Sequence, residues 1–273
     1  MIIGINGYIG SGKDTVGSII QYLHAKNKEE KFIEKAPKKW SVECPKIPSF
    51  EDWIKPRIHE SGYDIGYHSM YETLDKRWEI KKFAGKLKQI ASIMTGIPIE
   101  KFEDQEFKKT FLGEQWNYFP KKSEDWASFG KVQMTVRELL QKLGTEAIRD
   151  NLHENAWVNA LFADYTSTSA NFKENSSKIE SLNYPNWIIT DTRFPNEAKA
   201  IKDKKGIVVR VRRDSVVTGS SEIAERIGLL KTYAHPSETS LDTWQFDYVI
   251  DNNGTLDELI VKVKNMLTYF ELL

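Results

Sequence analysis

Cysteine is almost absent: Cys44 is the only one in 273 residues. That excludes an internal disulfide framework and a cysteine-based zinc site, and it fits a reducing compartment. Charge of either sign is not in excess, since Lys plus Arg and Asp plus Glu both number 39. A broad nucleic-acid or membrane surface is therefore not expected, whereas a local basic pocket for a small anion is allowed. No run approaches the roughly 20 apolar residues of a membrane span, and low-complexity and collagen-like tracts are missing as well. No basic leader with an apolar core precedes the first glycines, so a cytoplasmic protein is expected. The residues that are present, 40% hydrophobic and 29% charged, suit one globular domain with an insertion or two small ones.

The chain is organised around residues 1–15. Ile2, Ile3 and Ile5 are a β-branched run, Gly7, Gly10 and Gly12 follow, and Lys13 opens a stretch of helical periodicity. Strand, tight loop and helix start are the expected elements. Glycines in such a loop can turn their N–H groups inward, and the helix beyond adds its positive dipole end. Gly7-x4-Gly12-Lys13 has the spacing of a Walker A phosphate loop, in which the lysine reaches the β- and γ-phosphates. The usual hydroxyl after the lysine is replaced by Asp14, with Thr15 next. Asp14 is expected to reach a metal through water or to cap the helix, and Thr15 to lie near the α-phosphate. A glycine-rich turn without a ligand is the alternative.

The first helix is expected over about 13–25, with Val16, Ile19, Ile20 and Leu23 facing the sheet. Residues 26–75 read as an inserted arm with a short helix near 50–59 and a private core of Trp40, Trp53, Tyr63, Tyr67 and Tyr71. A second strand is expected over 78–84, then a helix that turns Leu87, Ile90, Ala91 and Met94 inward and stops at Gly96. Residues 99–130 read as a short helix and a mobile segment, and 135–149 as a long amphipathic helix. Arg137, Gln141, Thr145 and Arg149 make a polar stripe on that helix, four residues apart, with a solvated face as its plain reading.

Helices are expected over 155–163, over 195–205 between Pro195 and Gly206, and from Thr255 with a capping box to Glu258. Strands are expected at 187–191, 207–211 and 247–250, with a charged segment over 214–240. The alternation gives an α/β fold: a parallel sheet with helices on both faces and its ligand at the carboxyl ends of the strands. Those ends carry the Gly7–Lys13 loop, then Asp191 and Arg193, then Arg210, Arg212 and Arg213, then Asn252 and Gly254.

Phosphoryl transfer depends mainly on positioning and electrostatic stabilisation. Asp191 is expected to orient a metal through its waters or to hold the attacking group, with a helix cap as its plainer role. Arg193 suits bidentate grip of a phosphate. Arg212 and Arg213 lead into the 214–240 segment, which carries Arg226, Lys231 and His235 and reads as a closing flap or a plain surface loop.

Several blocks together resemble the phage-type deoxynucleoside monophosphate kinases, a branch of the P-loop nucleoside monophosphate kinases. They are Gly10-Ser-Gly-Lys-Asp-Thr15, Phe83-Ala-Gly-Lys-Leu-Lys88, the run from Thr135 to Glu146, Asn155-Ala-Trp-Val158, Thr190-Asp-Thr-Arg-Phe-Pro-Asn-Glu-Ala198 and His235-Pro-Ser-Glu238. The resemblance covers most of 1–25 and 78–267. It implies a single kinase domain over 1–273, with an acceptor-binding helical region over about 84–165 and a lid over about 214–240. It further implies conversion of dNMP to dNDP with ATP and Mg²⁺, no nucleic-acid polymer or membrane partner, a location in the host cytoplasm, and room for a homodimer. ATP would be held by Gly7, Gly10, Ser11, Gly12, Lys13, Asp14 and Thr15, with Asn252 and Gly254 near its adenine. Catalysis would fall to Lys13, Asp191, Arg193, Arg212 and Arg213, and the metal to Asp14 and Asp191 through water. Phe83, Lys88, Trp116, Arg137, Gln141, Thr145, Arg149 and Arg193 would bind the acceptor. A kinase of dephospho-coenzyme A or phosphomevalonate, and a non-catalytic nucleotide-binding regulator, are the rival readings.

Overall fold

The β-branched run at the start of the chain forms β1, Ile2–Asn6, the middle strand of a five-stranded sheet in the order β2-β3-β1-β4-β5. β2 is Trp78–Lys81, β3 Asn186–Ile189, β4 Ile207–Arg212 and β5 Tyr248–Asp251. All pairings are parallel; Gly4 stands opposite Ile189 on one side and Val208 on the other. The computed structural model describes residues 1–35, 47–54, 78–119, 131–167, 184–214 and 239–273.

Successive residues of a strand face opposite sides. Ile3 and Ile5 therefore share one face, where they join Ile188, Val209, Val211 and Ile250 in a buried cluster. That face is covered by Val16, Ile19, Ile20 and Leu23 of α1, Lys13–Lys35, and by Leu259, Val263, Met266 and Leu267 near the chain's end. On the other face Gly4 has no side chain, and a Cβ there would meet Ile201 Cδ1 at 2.5 Å. The helix carrying Ile201, Pro195–Asp203, thus presses on β1 from the side away from α1. Each fully buried aliphatic side chain of this core contributes roughly 1.5–3 kcal/mol relative to exposure. This is an α/β sheet with helices on both faces, of the P-loop kinase-like kind.

Contacts divide the described chain into two compact units, 1–82 with 165–273, and 83–164. In the first unit, α1 runs well past Ala25, the expected end, to Lys35. The stretch after 25 loses its apolar period but consists largely of Lys and Glu, which are good helix formers, and holds no Gly or Pro. Glu29, 4% exposed, accepts the Ile47 N–H at 2.7 Å and fixes the returning chain. The next helix, α2, is only Phe50–Trp53, capped by Ser49.

Ile47 and Phe50 belong to the main core, and Trp53 packs against it with its ring 6.0 Å from that of Tyr22. A private core for Trp53 is thereby corrected: the main core is within reach because α1 is long. Cys44, Trp40, Tyr63, Tyr67 and Tyr71 lie outside the described residues.

The second unit opens with α3, Ala84–Thr95, which stops at Gly96 in the left-handed conformation at φ 72°. Its buried residues are Lys88 and Ala91, whereas Ile90 and Met94, expected inward, are 38% and 49% exposed. Ala91 packs with fully buried Phe102, which a short 3-10 turn at Ile99–Glu103 supplies, and with Val136 and Leu139. Further 3-10 turns follow at Phe107–Lys109 and Glu114–Trp116.

Thr135 caps α4, Val136–Gln141, by accepting the Glu138 N–H. The expected continuous α-helix then changes to a π-helix over Lys142–Arg149. Gly144 O accepts the indole N–H of Trp157 at 2.8 Å, and a Cβ on Gly144 would lie 2.8 Å from Leu87 Cδ2. The bare backbone at 144 lets both neighbours close in, which favours the wider turn. Trp157 belongs to α5, Ala156–Phe162.

Back in the first unit, α6 is Pro195–Asp203 and α7 is Leu256–Tyr269, which Thr255 caps by accepting the Glu258 N–H. Among the described residues no helix is long and apolar enough to cross a membrane.

Candidate active site

The loop between β1 and α1 is built on glycine conformations. Gly7 and Gly12 have φ of 155° and 96°, and Gly10 of 81°. A Cβ on Gly7 would fall 2.5 Å from Val211 O, and one on Gly12 the same distance from Asn252 Nδ2. The loop therefore lies tightly against the ends of β4 and β5. Lys13 Nζ donates to Gly7 O at 2.6 Å and to Tyr8 O at 2.8 Å, so the ammonium is held by the loop's own carbonyls. The Ser11 hydroxyl is buried and has no hydrogen-bond partner among the described residues.

Asn252, just past β5, donates Nδ2 to Ser11 O at 2.8 Å, while its own N–H reaches Arg212 O at 2.7 Å. Its side-chain amide thus braces the loop backbone. Asp14 Oδ1 accepts the Thr190 hydroxyl at 2.8 Å and lies 3.3 Å from Lys82 Nζ. Burial alone would raise the Asp14 carboxyl, but Lys82, the Thr190 hydroxyl and Lys13 more than offset it and hold the group below the ordinary aspartate value. It is an ionised carboxylate in the first turn of α1, where the helix dipole also favours it. Thr15 stands half-buried beside it.

The end of β3 is anchored on its neighbour, since Thr192 N–H reaches Ile5 O at 3.2 Å and Asn6 Nδ2 donates to Thr192 O at 2.9 Å. Asp191 is 9% exposed there. Buried Glu197 accepts the N–H groups of Arg193 and Phe194 at 2.8 and 3.1 Å and so fixes the entrance to α6. That caps the helix entrance through Glu197. Arg193 is half-buried.

The arginines at the end of β4 divide. Arg210 turns to Asp242, 2.8 Å away, and to the rings of Tyr8 and Phe246. Arg212 Nε pairs with Asp251 Oδ1 at 2.8 Å, which raises the guanidinium further above its ordinary value. Arg213 is exposed, and the Glu258 side chain lies over Gly254. Arg226, Lys231 and His235 are outside the described residues.

The residues expected to bind the acceptor lie in the unit over 83–164. Arg137, Gln141, Thr145 and Arg149 of the polar stripe are all half-buried. The change to a π-helix falls inside it, between Gln141 and Thr145, and such wide turns often mark functional positions. Arg137 Nη2 reaches Gln105 Oε1 and Arg149 Nη1 reaches Glu154 O, both at a long 3.4 Å.

Lys88 Nζ is paired with Glu103 Oε1 at 2.5 Å. Phe83 is 3% exposed with its ring against that of Phe162, and Trp116 packs on the cluster around Phe102. In the structure these three side chains take part in the unit's own packing and pairing. Sequence reasoning missed Tyr8, Lys82, Thr190 and Asp242. Lys82 and Thr190 stand at strand ends, the signal that singled out Asp191; nothing in the pattern marks Asp242.

These residues fit a polyphosphate. The glycine loop leaves no room for a Cβ at Gly7 or Gly12, a lysine stands inside it, and a hydroxyl is buried beside it. Among the described residues no group of three His, Cys, Asp or Glu could hold a metal. Two single carboxylates, Asp14 and Asp191, instead suit magnesium, which keeps most of its ligands as water and phosphate oxygens.

A parallel sheet whose first strand runs through such a loop into a helix defines a P-loop kinase-like protein. The sequence model of the family described as "Deoxynucleotide monophosphate kinase" matches residues 1–263, and the chain belongs to that family. It is 30% identical over 156 residues to the deoxynucleotide monophosphate kinase of Enterobacteria phage T4, covering 54% of this chain and 55% of the relative. It is 26% identical over 137 residues to that of Escherichia phage RB69, covering 49% and 45%. The chain thus spans about half the length of these curated relatives.

Proposed function

We propose that the protein transfers the γ-phosphoryl group of ATP to a deoxynucleoside monophosphate, releasing dNDP and ADP, as a Mg²⁺-dependent enzyme of DNA-precursor supply in the host cytoplasm. Its partner is a small molecule rather than a nucleic-acid polymer or a membrane. The observation that carries this is Lys13 held inside the Gly7–Gly12 loop by two loop carbonyls, with Asn252 and Asp14 bracing either side.

In this reading the loop amides and Lys13 take the β- and γ-phosphates, the ammonium exchanging Gly7 O and Tyr8 O for phosphate oxygens. Asp14 and Asp191 would hold Mg²⁺ through water, and the ion would supply neutralisation of phosphate charge there. Asp191 also orients the attacking group, and Arg193 grips the phosphate of the acceptor. On the acceptor side, Arg137 suits the monophosphate and Gln141 a base edge, because an amide both donates and accepts. Arg212 is paired with Asp251, and Arg213, exposed just past β4, is the candidate we favour for the transferred group.

A coupled ADP-release assay over the four common dNMPs, their ribose counterparts, dephospho-coenzyme A and phosphomevalonate tests this. Turnover should require a dNMP. Turnover with only one of the other acceptors, or nucleotide binding with no acceptor-dependent turnover, would overturn it. Lys13→Ala should lower turnover by about 10³-fold or more with an unchanged circular-dichroism spectrum.

A further inference from the structure

Tyr8 sits in the middle of the phosphate loop, where anion binding asks only for backbone N–H groups. Its side chain is nonetheless firmly engaged. The phenol donates to Asp242, with both carboxylate oxygens at 2.7 Å across 234 residues of sequence. The same carboxylate accepts Arg210 Nη2 at 2.8 Å, and Arg210 Nη1 donates to Leu241 O at 3.2 Å. The Arg210 guanidinium lies 5.2 Å from the Tyr8 ring centroid and 5.3 Å from that of Phe246, where aromatic faces attract a cation. The Arg210 side chain is only 13% exposed, so water screens this pair less than a surface ion pair. Burial, and then Asp242, push the phenol above its ordinary value, so its proton stays available for the bond.

The backbone of the same residue is engaged as well. Tyr8 O accepts both Lys13 Nζ at 2.8 Å and Ser11 N–H at 3.1 Å. One residue therefore has its carbonyl on Lys13 and its side chain tied to Arg210 of the neighbouring strand β4 and to Asp242 beyond it, so the two connections together fix how the loop is turned.

We infer that Tyr8 is a positioning residue: the Tyr8–Asp242–Arg210 cluster holds the phosphate loop in the shape that presents Lys13 to a polyphosphate, and so sets affinity for the phosphoryl donor. This rests on the kinase reading above. Preorganisation of this kind raises affinity by removing the ordering cost that a slack loop would carry into binding.

The test is isothermal titration of the full chain with ATP, together with KM for ATP and for the acceptor and a thermal melt of each variant. Tyr8→Phe keeps the ring on Arg210 and removes only the hydroxyl. It should weaken ATP binding about tenfold, as loss of a hydrogen bond to a charged group allows, with the acceptor KM within about twofold of wild type. Asp242→Ala, which also unpairs Arg210, should weaken binding at least as much, and Tyr8→Phe added to it should cause no further loss. Asp242→Asn, which keeps an acceptor for the phenol, should recover most of the affinity.

Unchanged ATP affinity in Tyr8→Phe, beside a Lys13→Ala control that loses it, would overturn this inference and leave the kinase reading standing. So would a lowered melting temperature with both KM values raised equally, which is what a merely structural tyrosine would give. If Lys13→Ala itself binds ATP normally, the kinase reading and this inference fall together.

Discussion

The side-chain amide of Asn252 donates to the carbonyl oxygen of Ser11 at 2.8 Å, joining the turn after the last strand to the glycine loop after the first. Asn252→Ala leaves that carbonyl without its donor and opens space beside Gly12. ATP affinity should fall by about fivefold to tenfold at a stability cost of about 1 kcal/mol. Titration calorimetry and a urea melt measure the two separately, and an unchanged Kd would remove Asn252 from the nucleotide site.

Gln141 is half-buried just before the π-helix, between two arginines of the stripe. If Gln141 reads the acceptor's base edge as proposed, Gln141→Ala should change the order of preference among the four dNMPs while KM for ATP stays within about twofold. Competition kinetics with mixed acceptors checks this. An unaltered order would place the side chain outside the acceptor pocket.

Trp157 donates its indole N–H to Gly144 O from a buried position. Trp157→Phe keeps most of the ring but leaves that carbonyl unsatisfied. The variant should lose about 1–3 kcal/mol, read as a lower urea midpoint at constant m.

His24 stacks on Trp78 with ring centroids 4.9 Å apart, and its Nε2 is buried without a hydrogen-bond partner among the described residues. Burial first, and then Lys28 and Lys31, lower its pKa from 6.5 to about 4. Between those values the unfolded chain binds the extra proton and the folded one does not. This contribution to stability is therefore fully present above pH 6.5 and is lost as pH falls toward 4. The loss should be part of the roughly 3 kcal/mol that such a shift corresponds to, reduced by solvent screening. Melts at pH 7 and pH 5 should show a smaller drop for His24→Phe than for wild type, and equal drops would sink the assignment.

The sheet and its loop were legible because their physics is local. Ile2, Ile3 and Ile5 mark a buried strand, and Gly7, Gly12 and Lys13 are dictated by backbone approach and charge at one place. The Thr255 cap could likewise be read from its own turn. Contacts made across long sequence distances were not legible. Glu29 receiving the returning chain at Ile47 left no local mark, and the inward turn of Lys88 in place of Ile90 depends on Glu103 and on Phe102 filling the space beside Ala91. A π-helix leaves no periodic mark, since Thr145 and Arg149 keep the four-residue spacing on which the stripe was recognised. Asp242 could not be singled out because its partners, Tyr8 and Arg210, meet it only through the fold.

The lysine grasped by Gly7 O and Tyr8 O has a consequence for which anions the protein will admit. Its ammonium has already exchanged part of its hydration for two neutral oxygens, so an arriving anion gains most when it can take over the donors those carbonyls now hold. A singly charged halide offers one contact and is poorly matched to that exchange. Under the proposed function, adjacent oxygens of a polyphosphate would replace the two carbonyls together, and the grip would then select on charge density and shape.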